Sequence, residues 1–256
     1  MAAPPALDEA STVSAEFQVH IDFDGTISLR DTTDLLLERF ADPAWLDVEA
    51  EWLRGAIGSR ECLRQQVGLL RLTPEALDGF ILALRIDPGV PDFIAFCRKR
   101  GLPVTVLSDG LDRVVSGVLR RAGLGDIPVL ANRLEQVGAE QWALRFPHAR
   151  AECRAASGHC KCARFTGPAA LPGLLIGDGR SDFCAAGEAE FVFAKSRLIA
   201  HCEAEGIAHQ PFHDFSELLP RFVAWLESRS HRPRGPEAPL GVPASGPRAW
   251  RERSLA

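Results

Sequence analysis

The chain has 256 residues, of which 46% are hydrophobic and 25% are charged, and its formal net charge at pH 7 is -5. This length and composition predict a globular protein with one domain, a sizeable buried core and room for an insertion. The negative charge gives no general attraction to nucleic acid or to an anionic membrane. Any anionic ligand must therefore be bound by local groups.

Membrane and secretory signals are missing from the sequence pattern. No apolar run reaches the length of a membrane span, and the N-terminal stretch MAAPPALDEASTVSAEF lacks the cationic start and apolar core of a secretory signal. The seven cysteines are scattered between Cys62 and Cys202 in a chain too large to need disulfides, which favours reduced thiols. We therefore expect a cytoplasmic protein without a membrane or nucleic-acid partner.

Three segments run from apolar residues into aspartate and glycine, as buried parallel strands do where they meet an active-site loop. They are residues 16–24, 103–110 and 174–182. Helical patterns lie between them, so the sequence predicts an α/β fold with a doubly wound, mostly parallel sheet. Ligands bind beyond the carboxyl ends of such strands, and the three tips are therefore expected to meet at one crevice.

The remaining segments predict an insertion, a hairpin and a tail. Residues 31–87 contain several apolar patterns of helical period, which predict an inserted helical cap, with the core formed by residues 16–30 and 88–228. Alternation around a central glycine predicts a β-hairpin within residues 129–148. Residues 229–256 are rich in proline, glycine and arginine and predict a disordered tail.

Two carboxylates stand at the end of the first predicted strand. Asp22 and Asp24 flank a single residue, and alternate side chains of an extended strand point the same way, so both can face one cleft. One carboxylate can attack phosphorus. The other, when protonated, can donate to the leaving oxygen and later activate the water that hydrolyses the acyl phosphate.

The later tips carry groups suited to a phosphoryl group, whose transfer depends mainly on charge neutralisation. Ser108 can donate a hydrogen bond to a phosphoryl oxygen, and Lys161 can offset the charge of phosphate and nucleophile together. Asp178 and Asp182 offer hard oxygens for magnesium. Each feature alone is also typical of a polar turn, a helix cap or a surface charge, and it is their occurrence together and in order that favours phosphoryl transfer.

These motifs resemble those of a known family. DFDGTI (22–27), LSDG (107–110), Lys161 and GDGRSD (177–182) resemble the four motifs of the haloacid dehalogenase-like phosphatases, over residues 17–227. Within that superfamily the chain is similar to the phosphoserine-phosphatase-related group, which carries a helical cap between the first two motifs. The segments DTTDLLLERFA, ANRL, FPH and HCKC are similar to the methionine-salvage phosphatases, which act on 2-hydroxy-3-keto-5-methylthiopentenyl-1-phosphate.

The resemblance implies roles for the motif residues. Asp22 would be the nucleophile, Asp24 the general acid and base, and Ser108 and Lys161 the phosphate contacts. Magnesium would be held by the side chains of Asp22 and Asp178 and by the backbone carbonyl of Asp24, and Asp182 would support this metal site.

The resemblance also implies contacts to the substrate. Asp31 and Arg60 stand where phosphoserine phosphatases use an acidic residue and a cap arginine. Ser108, Asp109 and Gly110 of the second motif complete the expected binding surface. The substrate is expected to be a small phosphorylated metabolite.

The sequence departs from its relatives at Ser181, where many have asparagine, and at Ser157, where the salvage-type sequences often have another cysteine. These departures bear on the substrate and leave the predicted chemistry unchanged. A zinc site is not predicted, because paired C-x-x-C knuckles are missing and Lys161 lies within the candidate set, which comprises Cys153, His159, Cys160 and Cys162.

Three other functions remain open from the sequence. One is a phosphoserine phosphatase or a broad small-metabolite phosphatase that uses the same machinery. Another is a non-catalytic module that binds a phosphorylated ligand, although both Asp22 and Asp24 are retained. The third is an interaction scaffold in which the arginine-rich tail binds an acidic partner.

Overall fold

A seven-stranded sheet organises the computed structural model, which describes residues 16–153, 155–166 and 171–230. The strand order is β4-β3-β2-β1-β5-β6-β7, and every neighbouring pair is parallel except β3 with β4. The predicted mostly parallel α/β sheet is therefore confirmed. The strands are β1 (Gln18–Asp22), β2 (Val104–Leu111), β3 (Val129–Gln136), β4 (Trp142–Arg145), β5 (Gly173–Gly177), β6 (Phe191–Ala194) and β7 (His209–Pro211).

Nine α-helices are found within the described residues. Four of them occupy the insertion between β1 and β2: α1 (Thr32–Phe40), α2 (Trp45–Leu53), α3 (Ser59–Gly68) and α4 (Pro74–Ala83). The others are α5 (Val90–Lys99), α6 (Asp112–Arg121), α7 (Phe183–Ala186), α8 (Arg197–Glu205) and α9 (Phe215–Ser230). None of these helices combines the length and apolar character needed to cross a bilayer.

The central strand β1 determines where the motifs meet. Val19 and Ile21 are completely buried, as expected for a parallel strand covered on both faces. Ile21 pairs with Val106 of β2 on one side and with Ile176 of β5 on the other. The carboxyl ends of three neighbouring strands therefore lie side by side at one edge of the sheet.

The two ends of the helical insertion are joined to each other. Ser28 and Ile86 form an isolated antiparallel bridge, and the Asp87 N–H donates to the Ile27 carbonyl at 2.9 Å. The chain thus enters and leaves α1–α4 through one paired connection. The division into a core and a cap at residues 31–87 remains a prediction.

The predicted hairpin is confirmed by the antiparallel pairing of β3 with β4. It contacts the insertion through Trp142, whose indole N–H donates to the Leu72 carbonyl at 2.9 Å. By its internal packing, the described chain through Pro220 forms one compact unit, and residues 221–230, the last turns of α9, belong to another. The N-terminal stretch through residue 15 and nearly all of the predicted tail lie outside the described residues.

Asp87 is the buried acceptor that joins two chain segments. Asp87 is 2% exposed. Its Oδ1 accepts from the Gly89 N–H at 2.8 Å, and its Oδ2 accepts from the Phe215 N–H at 3.1 Å. Asp87→Ala leaves these donors without partners, and we expect it to lower the free energy of unfolding by about 2–4 kcal/mol. Urea denaturation measures this change.

Asp126 provides the matched control, because its side chain is 67% exposed and pairs with Arg98 at the surface. Asp126→Ala is expected to change the free energy of unfolding by less than about 1 kcal/mol. Equal destabilisation by the two substitutions would contradict the assigned role of Asp87.

Candidate active site

The predicted strand tips meet around the buried ammonium of Lys161. This side chain has no solvent exposure, and its Nζ donates to Asp22 Oδ1 at 2.5 Å and to Asp182 Oδ1 at 2.7 Å. A third hydrogen bond runs from Lys161 Nζ to Ser181 Oγ at 3.0 Å. One charge therefore connects the end of β1, the turn that carries Lys161 and the loop that follows β5.

The electrostatics of this cluster are set by burial and by an excess of carboxylates. Burial alone would lower the pKa of Lys161, but the neighbouring Asp182 and Asp22 outweigh it and raise that pKa, so the ammonium stays protonated. Burial and repulsion from Asp182 raise the pKa of Asp22 well above its usual value, although Lys161 opposes them. Burial and Asp182 likewise raise the pKa of Asp178 to about 6.

The acidic side chains of the site also form a candidate metal centre. Asp22, Asp178 and Asp182 each present a carboxylate oxygen, and these oxygens lie within 4.8 Å of one another. Hard carboxylate oxygens suit magnesium, and a divalent cation would offset the charge that one ammonium leaves unbalanced. The donor set therefore fits a magnesium ion.

The Asp182 carboxylate also accepts hydrogen bonds from the groups around it. Its Oδ1 accepts from Lys161, and its Oδ2 accepts from the N–H groups of Asp178 at 3.1 Å and Gly179 at 3.3 Å. These bonds hold the loop after β5 in a tight turn. Asp178 is thereby oriented toward Asp22.

Gly25 leaves the space that Asp178 needs. Its φ is +75°, a left-handed conformation that favours glycine, and a Cβ at this position would lie 2.5 Å from Asp178 Oδ2. The turn after β1 (Phe23–Ile27) can therefore pass close to the loop that follows β5 only with glycine here.

Asp24 faces the start of α1 and stands apart from the carboxylate trio. Its Oδ1 accepts from the Thr32 N–H at 2.8 Å and from the Thr32 hydroxyl at 2.6 Å, while the Ser108 hydroxyl lies 3.3 Å from Oδ2. Burial, reinforced by the charge of Asp31, raises the pKa of Asp24 to about 7 despite the Thr32 hydrogen bonds. A carboxyl group in this state can hold or release a proton near neutrality.

Ser108 and Gly110 lie at the end of β2 beside Asp24. The Gly110 N–H donates to Ser108 Oγ at 2.9 Å, which fixes the orientation of the fully buried hydroxyl. A Cβ on Gly110 would lie 2.6 Å from Asp24 Oδ2. The glycine of this motif is thus required by the close approach of the carboxylate.

The two predicted substrate contacts of the insertion, Asp31 and Arg60, lie on different helices. Asp31 caps α1, with Oδ1 accepting from the N–H groups of Thr33 at 2.9 Å and Asp34 at 3.0 Å. Arg60 is partly buried in the first turn of α3, and its backbone N–H donates to the Ala156 carbonyl at 3.0 Å. The roles of these residues toward a substrate remain predictions.

Several polar residues contact the site in ways that the sequence did not predict. Thr32 is the main hydrogen-bond partner of Asp24, and Ser181 reaches Lys161. Asn132 and His159 both donate to Asp109, the residue after Ser108. The available signal was position: Thr32 follows the first motif closely, and His159 lies two residues before Lys161.

The cysteines around Lys161 are free thiols. Cys160 Sγ lies 3.2 Å from Cys162 Sγ, but no disulfide links any of the seven cysteines. Within the described residues the aspartate trio is the only group of three or more potential ligands with atoms so close together. No three of the candidate zinc ligands Cys153, His159, Cys160 and Cys162, all of which the structure describes, have ligand atoms this close together.

Comparison with known proteins gives one consistent family. Residues 19–187 match the haloacid dehalogenase-like hydrolases. A 2-hydroxy-3-keto-5-methylthiopentenyl-1-phosphate phosphatase from Bacillus velezensis is 30% identical over 226 residues, which span 82% of this chain and 93% of that protein. Pdp3-interacting factor 1 from Schizosaccharomyces pombe is 28% identical over 218 residues, spanning 79% of this chain and 93% of that protein.

A solved structure shares the fold. The phospho-aspartyl intermediate analogue of phosphoserine phosphatase has a TM-score of 0.61 and 21% identity, covering 81% of this chain and 98% of that one. At this identity the likeness shows the fold alone. The family match extends over more than half of the chain and includes the strand tips at Asp22, Ser108 and Asp178. This chain therefore belongs to the haloacid dehalogenase-like hydrolases.

Proposed function

We propose that the chain is a magnesium-dependent phosphomonoester hydrolase that acts through an aspartyl-phosphate intermediate. The observation that carries this proposal is the buried Lys161 ammonium, which bonds both Asp22 and Asp182 and so joins three motif segments in one constellation. An ammonium beside a carboxylate nucleophile suits a reaction in which a second anion, the phosphoryl group, must approach the first.

In this mechanism Asp22 attacks phosphorus and forms the acyl phosphate. Lys161 keeps its proton throughout and offsets the combined charge of Asp22 and the phosphoryl oxygens. Ser108, whose hydroxyl is fixed by the Gly110 N–H, donates to a phosphoryl oxygen. When bound by Asp22, Asp178 and the Asp24 backbone carbonyl, magnesium would supply further charge neutralisation at phosphorus.

Asp24 supplies the proton chemistry. Its carboxyl group gives a proton to the departing ester oxygen and then accepts one from the water that hydrolyses the acyl phosphate. The Thr32 N–H and hydroxyl hold the carboxyl in place, and its Oδ2 lies 3.3 Å from the Ser108 hydroxyl. The single Ser108 proton turns from Asp24 to the phosphoryl oxygen when the substrate binds. Proton donor and phosphate contact thus belong to one hydrogen-bonded unit.

We further propose that the substrate is 2-hydroxy-3-keto-5-methylthiopentenyl-1-phosphate, as in methionine salvage. The support is the 30% identical Bacillus velezensis phosphatase of that name, which aligns over nearly its full length. The likeness to phosphoserine phosphatase is one of fold, so that substrate is the less favoured alternative. Asp31 and Arg60, in the proposed cap formed by residues 31–87, would contact the end of the substrate away from phosphorus.

The proposed setting is the cytoplasm. Free thiols at all seven cysteines favour a reducing compartment, and a small soluble metabolite is the expected ligand. The compartment is proposed together with the substrate, and the chemistry proposed at Asp22 does not depend on it.

The function is tested by measuring phosphate release from a panel of phosphomonoesters with magnesium and with a chelator. The panel includes phosphoserine and the methionine-salvage intermediate. We expect magnesium-dependent turnover, with kcat/KM highest for the salvage intermediate. Preference for phosphoserine would overturn the substrate, and release that persists in the chelator would overturn the role of the metal. A folded protein inactive on the whole panel would favour a binding module.

Gly25→Ala tests the carboxylate centre more locally. The new methyl group would contact Asp178, so we expect the magnesium concentration that gives half-maximal activity to rise about tenfold or more. The measurement is a magnesium titration of initial rates at fixed substrate concentration.

Gly123→Ala is its matched control. Gly123 has nearly the same φ, +73°, but a Cβ there would have no neighbour within 4 Å. Both substitutions carry the left-handed backbone cost of about 1–2 kcal/mol, whereas only Gly25→Ala should change the magnesium requirement. An equal shift in the two titrations would show that backbone strain, rather than contact with Asp178, is responsible.

A further inference from the structure

The Asp109 carboxylate receives hydrogen bonds from three separate segments of the chain. Its Oδ1 accepts from the His159 backbone N–H at 2.8 Å and from Asn132 Nδ2 at 3.1 Å. Its Oδ2 lies 3.4 Å from the Ser59 hydroxyl, and Asn132 Nδ2 also donates to the Asp109 carbonyl at 2.6 Å. The acceptor capacity of this side chain is thus largely used inside the protein.

Two of these segments adjoin a residue of the site, as does Asp109 itself. Asp109 directly follows Ser108, His159 lies two residues before Lys161, and Ser59 precedes Arg60. The His159 ring adds a direct connection, because its Nδ1 lies 3.1 Å from the Ser108 carbonyl. The network therefore ties the segments of both proposed phosphate contacts to the first turn of α3.

The core of this network is buried and shielded from solvent. Asn132 is completely buried, and His159 is 1% exposed. Burial, the main cause, lowers the pKa of His159 to about 3, so the ring is neutral near pH 7 and its Nδ1–H donates to the Ser108 carbonyl. Within the described residues Asn132 Oδ1 and His159 Nε2 have no hydrogen-bond partner, so the bonds to Asp109 and to the Ser108 carbonyl are what hold these two side chains in place.

We propose that Asp109 is a positioning residue, which, together with His159 and Asn132, fixes Ser108 and Lys161 relative to each other and to α3, and that it is not a substrate ligand. The proposal rests on the proposed phosphatase function and gives Asp109 a different role from the substrate contact that the resemblance implies. Its carboxylate would set the geometry of phosphate binding without touching phosphate.

Asp109→Asn and Asp109→Ala separate the two roles. Asparagine keeps an Oδ1 acceptor for His159 and Asn132, and its amide can donate to the Ser59 hydroxyl, so the network survives without the charge. Alanine removes all three interactions. A positioning role therefore predicts recovery of activity by asparagine, whereas a charged substrate ligand predicts that both variants fail alike.

We expect Asp109→Ala to lower kcat about 30- to 100-fold with KM within about threefold of wild type, since small misplacements at a reacting centre carry such losses. Asp109→Asn should stay within about fivefold of wild-type kcat. An Asp109→Asn enzyme with intact kcat and a KM raised as far as in Asp109→Ala would overturn the proposal and restore Asp109 as a substrate ligand.

His159 gives a second pair of variants if Asp109→Ala does not fold. His159→Asn retains a side-chain donor for the Ser108 carbonyl, and His159→Leu does not, so only the leucine variant should lose kcat by about tenfold or more. His209→Leu is the control, because the His209 ring bonds the local Ile207 carbonyl at the far edge of the sheet. Equal kcat for the leucine and asparagine variants of His159 would contradict the network.

Amide hydrogen exchange, followed by mass spectrometry, supplies a readout that does not depend on turnover. The segments around Ser59 and His159 should exchange faster in Asp109→Ala than in wild type, and at the wild-type rate in Asp109→Asn. If wild-type protein releases no phosphate from any substrate, the proposed function fails while this comparison still decides the positioning role. Unchanged exchange in Asp109→Ala would overturn it.

Discussion

The Lys161 ammonium lies in a site with no solvent exposure, and the rest of the active-site arrangement depends on how its charge is compensated. Burying a lone ammonium is costly, but Asp22 and Asp182 accept hydrogen bonds from it at 2.5 and 2.7 Å. The two acceptors come from different strand tips. The requirement to pair one charge therefore brings together segments that are 139 and 21 residues away along the chain.

The same cluster of charges suits the binding of a divalent cation. Asp178 adds a third carboxylate close to the pair, so the cluster has more negative than positive charge, and burial with mutual repulsion raises the pKa of Asp22 and Asp178. A divalent cation would relieve this repulsion. Asp24 is held apart from the cluster by Thr32, which lets one short motif provide two carboxyl groups with different chemistry.

Sequence reasoning located the fold and the centre of the site because both depend on short local patterns. The apolar run into Asp22 predicts a buried strand tip, and similar tips at Ser108 and Asp178 must meet at one sheet edge once the strands are parallel. The observed pairing of β1 with β2 and β5 follows this expectation. The order of the four motifs then identified the family.

The residues that hold the motif side chains in position could not be predicted in the same way. Asn132 and His159 reach Asp109 from segments 23 and 50 residues away, and such contacts depend on loop geometry that has no local period. Gly25 and Gly110 could be assigned to turns, but only the structure shows that a Cβ would contact Asp178 or Asp24. The resemblance assigned Asp31 to the substrate, whereas the hydrogen bonds of its side chain in the structure cap α1.

The most direct test of the aspartyl-phosphate mechanism is to locate the phosphorylated residue. The enzyme is quenched during turnover of a labelled phosphomonoester, the acyl phosphate is reduced with borohydride, and the modified peptide is sequenced by mass spectrometry. The mechanism predicts modification at Asp22, with none in the Asp22→Asn protein. Turnover with no trapped intermediate, or modification of another residue, would contradict it.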